Sequence, residues 1–378
     1  MKVGIVVPYS WSFWGGVVDH ADQQSQALRD LGLDVRLVLG NDPPGSFTRL
    51  LHPSLGRHDE PPAGVIAVGR TVIVPANGTL PNIVLSPPAL LRLRRVFERE
   101  RFDVLHVHEP MTPALGVGAL ALWDGPCVAT FHASGALGWM HLGNRLWGFL
   151  AERIDRRIAV SEEARASVEP FLPGHYDIVP NGVLVPDRAD ASGRLDRVVF
   201  IGRHEPRKGM HVLLRAWPEI HRRSGARLRL VGADPLAVRL VLSRARVRED
   251  GIDVLGVLPD EELTRELLAA KVLVAPSLGG ESFGMVLTRA FACAIPVVAS
   301  DIPGYRGVVA DDTGVLVPPG DTRALADAVV GVLRNEPRRA AMGAAARELA
   351  VDRYGWEHVA SELVQIYDAV AGRQEVVV

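Results

Sequence analysis

Short apolar runs recur along the chain with longer stretches of mixed, helix-period sequence between them. In the first half they are Val3–Pro8, Val35–Leu39, Val65–Val68, Val104–Val107, Cys127–Phe131 and Arg157–Val160. In the second they are Val198–Ile201, Arg227–Val231, Val254–Leu255, Val272–Ala275, Val297–Ala299 and Gly314–Val317. Near-continuous apolar runs belong to strands buried on both faces, and the stretches between them serve as crossover helices, so an α/β fold with parallel sheets is written twice. The polar segment Pro186–Arg197, after Pro180-Asn181-Gly182, reads as the linker. The predicted organisation is a Rossmann-like domain over 1–187, a second over 188–354, and a C-terminal helix over 355–378. In that last helix Trp356, Val359, Leu363, Ile366 and Tyr367 fall at helical spacing. It could cap its own domain or cross back to the first. Two doubly wound domains are expected to face each other across a cleft, and ligands of such sheets bind beyond the carboxyl ends of the strands. The residues just after each strand are therefore where chemistry is sought.

Composition narrows the function. The 378 residues are 48% hydrophobic and 23% charged, with 37 Gly and 27 Pro, which excludes a disordered or low-complexity chain. The net charge is −2 and neither half carries the large basic excess that would gather duplex phosphates, so a nucleic-acid partner is not expected. Cys127 and Cys293 stand far apart with no His/Cys cluster around them, so local sequence supplies neither a disulfide framework nor a zinc site. The opening apolar stretch is too short for a signal peptide, and no run reaches the roughly 18 apolar residues of a membrane span. The expected location is cytoplasmic, with any membrane contact peripheral. Among 42 basic residues only Lys2, Lys208 and Lys271 are lysines, which singles out Lys208.

Candidate chemistry lies after the strands. Tyr9, Trp11, Phe13 and Trp14 crowd the segment before Gly15-Gly16, where a helix from about Val17 to Leu31 begins. Paired glycines let backbone N–H groups approach an anion, although a plain tight turn would also account for them. So many aromatics in a loop are expected to meet a partner or close a cleft. His132 follows the strand Cys127–Phe131 directly, and His106 and His108 alternate onto one face before Glu109-Pro110. Without a third ligand these two read as packing or cleft-wall groups, not metal ligands. In the second half Gly202-Arg203-His204-Glu205-Pro206-Arg207-Lys208-Gly209 leads from a strand into the helix His211–Ile220. Arg203 offers a bidentate fork and Lys208 a compact charge, a pairing suited to a diphosphate, against the alternative of a solvated basic loop. The stretch Leu278-Gly279-Gly280-Glu281-Ser282-Phe283-Gly284-Met285 predicts a helix opening near Glu281–Ser282, with the N–H groups of Phe283, Gly284 and Met285 available to phosphate.

Taken together, Gly202-Arg203 to Lys208-Gly209, Gly279-Gly280-Glu281-Ser282-Phe283-Gly284, Pro296-Val297-Val298-Ala299-Ser300-Asp301 and Thr313-Gly314 to Gly320-Asp321 resemble the retaining glycosyltransferases of family 4, which have the GT-B fold. The likeness spans nearly the whole chain. With Gly15-Gly16-Val17, Phe102-Asp103-Val104-Leu105-His106-Val107-His108-Glu109-Pro110 and Ala129-Thr130-Phe131-His132, it is most similar to phosphatidylinositol mannosyltransferases, which use GDP-mannose. The resemblance implies a nucleotide-sugar donor and a lipid acceptor. Donor contacts would come from Gly16, Arg203, Lys208, Glu281, Ser282, Phe283, Gly284, Met285 and Arg289, and acceptor contacts from Tyr9, Gly15, Gly16, Val18 and His132. Catalysis would fall to His132, Arg203, Lys208 and Glu281, with no metal or other cofactor.

The sequence departs from that pattern at three places. Arg289 stands eight residues after Glu281, where the family carries a ribose-binding glutamate; arginine cannot accept a hydrogen bond, and Arg289→Glu is expected to tighten nucleotide binding. Ala294 replaces a glycine. Val18 and Ala133 replace polar side chains, which keeps a soluble acceptor in play, and Arg289 keeps in play a non-catalytic nucleotide-sugar-binding protein. The segment Ser86–Phe102 is expected to touch an anionic membrane, against the alternative of an ordinary amphipathic helix that packs its apolar face on the sheet: Leu90, Leu93, Val96 and Phe97 share a face, and Arg92, Arg94, Arg95, Arg99 and Arg101 outnumber Glu98 and Glu100.

Overall fold

The computed structural model describes residues 1–13, 15–51, 60–74, 81–133, 144–189 and 193–372. It divides into two compact units, one formed by Met1–Gly182 with the C-terminal helix Trp356–Val370, the other by Val183–Gly355.

The first unit contains strands β1 (Lys2–Ser10), β2 (Asp34–Gly40), β3 (Val65–Gly69), β4 (Thr71–Ile73), β5 (Asn82–Val84), β6 (Val104–His108), β7 (Cys127–Phe131), β8 (Arg156–Ala159) and β9 (Asp177–Ile178). Seven of them form a parallel sheet in the order β3-β2-β1-β6-β7-β8-β9, while β4 and β5 pair antiparallel and β5 meets β1 at Tyr9. The strand order reverses between β1 and β6, which makes the carboxyl ends of those two strands the binding position of this unit.

The helix Gly16–Asp30 buries Val18, Ala21 and Leu28 against the sheet. The C-terminal helix adds Trp356, Val359, Leu363, Ile366 and Tyr367 to the same core. The apolar stripe at those positions is thus covered by the first unit. The chain enters the second unit at Val183 and not in the polar stretch beyond it, because buried Val183 is held there by donating its N–H to the Tyr354 carbonyl at 2.7 Å. Trp11 and Phe13 are buried as well, and Trp11 belongs to the core, so packing within this unit accounts for them in place of a partner; Trp14 lies outside the described residues.

The second unit is a six-stranded parallel sheet of β10 (Arg197–Ile201), β11 (Arg227–Val231), β12 (Ile252–Gly256), β13 (Val272–Ala275), β14 (Val297–Ser300) and β15 (Gly314–Val317), in the order β12-β11-β10-β13-β14-β15. Its reversal lies between β10 and β13. The helices Met210–Ser224 and Thr322–Arg334 pack Leu213, Trp217, Ile220, Leu325, Val329 and Val330 on the sheet.

Ala294 follows the helix Met285–Ala292 and donates its N–H to the Phe291 carbonyl, with a φ of 54°. A side chain in this left-handed region costs about 1–2 kcal/mol, which gives the family's glycine there a structural reason. Glycine returns part of that gain as extra freedom of the unfolded chain, about 0.4–1 kcal/mol. Ala294→Gly is therefore expected to stabilise the protein by about 0.5–1 kcal/mol, read as a higher urea midpoint. A lower midpoint would mean that the Ala294 methyl makes packing contacts worth more than the strain.

Candidate active site

At the reversal point of the first unit the strand ends deliver a cluster of histidines. His106 and His108 sit on β6, two residues apart, so their rings fall on one face and stack with centroids 4.5 Å apart. His132 follows β7, and its Nε2 is 2.7 Å from Nδ1 of His108. His20, on the helix Gly16–Asp30, approaches both at 5.7 Å from His108 and 5.2 Å from His132, centroid to centroid. Sequence reasoning missed His20, the third imidazole that His106 and His108 were expected to lack. It lies more than eighty residues away in the chain, and only the fold brings it to the strand ends.

The surroundings orient these rings. Gln24 Nε2 donates to the Tyr367 hydroxyl, which lies 2.6 Å from His106 Nδ1 and donates to it; the His106 proton is then on Nε2, facing Thr130 Oγ1 at 2.7 Å. Glu109 accepts the backbone N–H of His132 at 2.8 Å and so fixes the segment that carries this imidazole. It does so with a φ of 49°, backbone strain of the kind that persists where surrounding structure demands it.

All of these groups are buried, and burial dominates their protonation. It pushes His132 down to about 4, opposed by the neighbouring Asn181, and His106 down to about 3, reinforced by His132. His20 and His108 are held well below the ordinary histidine value by burial and by the other rings. The Glu109 carboxyl is pushed up to about 7 by burial, partly offset by the backbone N–H groups of His132 and Ala133. At neutral pH the imidazoles are uncharged.

The anion-binding candidates nearby divide. Gly15 caps the helix Gly16–Asp30, among the described residues no atom beyond its chain neighbours lies within 4 Å of where a Gly15 Cβ would stand, and Gly16 is exposed. Tyr9 lies on β1 with Glu109 and Thr112 acting on its hydroxyl. Val18 is buried in the core, so its apolar side chain answers to packing and not to a ligand.

In the second unit the loop after β10 and the loop after β13 are locked together by ion pairs. Lys208 Nζ lies 2.8 Å from Glu281 Oε1, and Arg207 donates to the same oxygen at 2.7 Å and to the Gly280 carbonyl at 2.9 Å. Arg207 also pairs with Glu205, as does Arg203 at 2.7 Å. Three cations thus meet two carboxylates, leaving one positive charge in excess at the carboxyl ends of β10 and β13. Arg203, 61% exposed, is the outermost member. Arg207 links both carboxylates and was passed over in the sequence, where the spacing of Arg203 and Lys208 alone drew notice.

Gly209 fixes this junction. Its φ is 69°, and a Cβ there would overlap the Pro276 carbonyl. The helix on the other loop starts at Met285 with Gly284 as its cap, and not near Glu281–Ser282 as expected. Gly279, Gly280 and Gly284 all have positive φ, so the backbone cannot become helical before them. Phe283 is buried against Tyr354, edge to face at 5.6 Å. Arg289 does not stand open: its guanidinium pairs with Asp260 at 2.8 Å. A glutamate at 289 would face Asp260 with like charge, so the expectation that Arg289→Glu tightens nucleotide binding needs Asp260 neutralised too.

The segment expected at a membrane forms the helix Pro87–Glu100. Its apolar face is used by the fold: Leu93, Val96 and Phe97 are buried, which removes that face from membrane contact. Its outer side keeps Arg92, Arg94, Arg95 and Arg99 with exposed Leu91; Arg94 pairs with Glu98, Arg99 with Glu100, and Arg92 donates to the Val68 carbonyl. Among the described residues no helix is long and apolar enough to cross a membrane.

Comparisons with known proteins agree with this layout. A family model described as Glycosyltransferase Family 4 matches residues 14–185, and one described as Glycosyl transferases group 1 matches residues 196–335. Phosphatidyl-myo-inositol mannosyltransferase of Mycobacterium leprae is 38% identical over 98% of this chain and 97% of its own. The enzyme of the same name from Mycolicibacterium smegmatis is 36% identical over 98% and 95%. Among solved structures, sucrose-phosphate synthase of Thermosynechococcus elongatus superposes with a TM-score of 0.73 at 20% identity, covering 99% of this chain and 100% of that one. Anabaena HepE, solved in complex with UDP and glucose, gives 0.71 at 18% identity, covering 98% and 100%. The structural likenesses establish the GT-B fold, and the full-length sequence likeness establishes the family: the chain belongs to glycosyltransferase family 4, alongside the phosphatidyl-myo-inositol mannosyltransferases, and is a hexosyltransferase.

Proposed function

We propose that the protein transfers mannose from GDP-mannose to phosphatidylinositol at the cytoplasmic face of a membrane, with retention of configuration and without a metal in the reaction. The observation that carries the reading is the ion-pair network of Arg203, Arg207 and Lys208 with Glu205 and Glu281 at the strand ends of the second unit. It belongs to a chain that matches phosphatidyl-myo-inositol mannosyltransferases over nearly its full length.

The donor diphosphate takes over the cations that the two carboxylates hold. As the C1–O bond breaks, positive charge grows on the sugar and negative charge on the leaving phosphate. Arg203, Arg207, Lys208 and the N–H groups at Gly284 and Met285 stabilise the phosphate, an effect realised mainly in the transition state. Glu281, released from Lys208, receives the sugar hydroxyls. The acceptor hydroxyl attacks from the face the phosphate leaves, and the phosphate oxygen takes its proton, so no second carboxylate is required. In this reading Gly16 serves the β-phosphate, uncharged His132 the transferring sugar, and Tyr9 and Gly15 the acceptor. Because the folded protein gains stability from any ligand it binds, a thermal-shift panel of GDP-, UDP- and ADP-sugars tests the donor. The largest shift is expected with GDP-mannose.

Membrane contact in this reading is electrostatic, from Arg92, Arg94, Arg95 and Arg99, each worth up to about 1 kcal/mol near an anionic surface and screened by salt. Arg92, Arg94 and Arg95 changed together to Ser should weaken co-sedimentation with anionic vesicles and leave neutral vesicles unaffected. Equal binding to both vesicle types, or no loss in the variant, would favour a second reading, a soluble inositol-type acceptor. That reading draws support from the burial of the helix's apolar face and from a 31%-identical D-inositol 3-phosphate glycosyltransferase of Corynebacterium aurimucosum.

A further inference from the structure

The histidine cluster of the first unit has more donor capacity than its hydrogen bonds use. His20 Nδ1 and His108 Nε2 are buried and make no hydrogen bond within the described structure. One ring nitrogen from each of His20, His108 and His132 lies within 4.8 Å of the others, and the three residues are 4%, 0% and 8% exposed. His106, although stacked on His108, has both nitrogens engaged by Tyr367 and Thr130 and is not a fourth ligand. We propose that His20, His108 and His132 form a site for a divalent transition-metal ion, with zinc as the physiological candidate and cobalt and nickel as analogues, and that its occupancy switches off sugar transfer.

Three neutral imidazoles and a fourth position for water make a tetrahedral set of the kind zinc accepts, and imidazole donors select against magnesium and calcium. His108 Nδ1 and His132 Nε2 now share a proton at 2.7 Å. A metal ion can take the place of that proton, which moves to the other nitrogen of its ring, so the rings stay neutral and no net proton is lost. With zinc–nitrogen bonds of about 2.0–2.1 Å, tetrahedral ligands stand about 3.3 Å apart, so the pair opens by roughly 0.6 Å. Glu109, bonded to the His132 backbone N–H, places a carboxyl group beside the site. The inhibitory consequence rests on the reading of His132 as the group beside the transferring sugar; the metal site itself does not.

The test uses the full-length protein freed of metal with a chelator. Cobalt titration should produce the visible absorption bands of a tetrahedral nitrogen site at one ion per chain, and zinc, but not magnesium, should raise the unfolding temperature. His20→Phe, which keeps an aromatic ring in place, should weaken cobalt binding on the order of 100-fold, at or beyond the upper end of the effect of losing an outer-shell partner. His175→Ala, at an exposed histidine elsewhere, should leave it unchanged. Unchanged circular dichroism of the His20→Phe protein shows that folding is intact, and His20→Asn serves in its place if it is not. Absent bands, or bands equally strong in the folded His20 variant, overturn the site. Zinc should abolish mannosyl transfer in the wild type and a chelator restore it; full activity at saturating zinc overturns the inhibitory role. A protein that transfers no sugar from any donor fails the proposed function, while the spectroscopic titration still decides the site.

Discussion

Replacing Lys208 with alanine is expected to lower kcat/KM for sugar transfer by roughly 30- to 1,000-fold, about 2–4 kcal/mol of transition-state stabilisation, the range for removing one preorganised donor from an oxyanion site. The ammonium sits 2.8 Å from Glu281 in a loop whose geometry is fixed by Gly209, so it is placed before the donor arrives. Arg207, bonded to the same oxygen, remains in the variant and keeps Glu281 from being stranded. The loss should therefore fall mainly on kcat, with stability little changed. Transfer at the wild-type rate would remove Lys208 from the phosphate-binding role. Lys208→Arg should recover only part of the rate, because a planar fork does not reproduce a compact point charge.

Acid is expected to destabilise the first unit steeply below pH 6.5. His132 titrates at about 4 and His106 at about 3 in the folded protein, and His20 and His108 lie well below the ordinary value of 6.5. Between those values and 6.5 the unfolded chain binds protons that the folded one refuses. Their contribution is therefore complete above pH 6.5 and is lost as the pH falls, at up to about 1.4 kcal/mol per pH unit for each ring. Glu109 acts in the opposite sense. Its folded value of about 7 lies above the unfolded 4.5, so its contribution is complete below pH 4.5 and is lost as the pH rises towards 7. Four imidazoles outweigh one carboxyl. Urea unfolding in chelator-containing buffer should lose several kcal/mol between pH 7 and pH 5, and His106→Gln should flatten that slope. Equal stability at pH 7 and pH 5 would mean that the cluster is hydrated in solution.

Much of this was legible in the sequence because its signals are local. Each of the twelve apolar runs coincides with a strand, since a buried parallel strand must be apolar on both faces. Strands β4, β5 and β9 went unread because they are only two or three residues long and carry no such run. The Arg203–Lys208 loop and the glycine-rich loop were visible as motifs, but their joining was not: that Arg207 bridges Glu205 and Glu281 depends on two strand ends that only the sheet sets side by side. His20 was hidden in the same way, as was the Asp260 partner of Arg289. The apolar stripe of the Pro87–Glu100 helix was read correctly as a stripe, but a stripe does not name what covers it, and strand β3 together with the helix Leu115–Leu122 packs against it here.

Incubation of the purified protein with radiolabelled GDP-mannose and vesicles containing phosphatidylinositol, followed by extraction and chromatography of the lipid, tests the proposed reaction most directly. A mannosylated phosphatidylinositol with the α configuration, formed without added metal and lost in Lys208→Ala, is the expected product. Label that appears only in a water-soluble inositol product, or only with another nucleotide sugar, would contradict it.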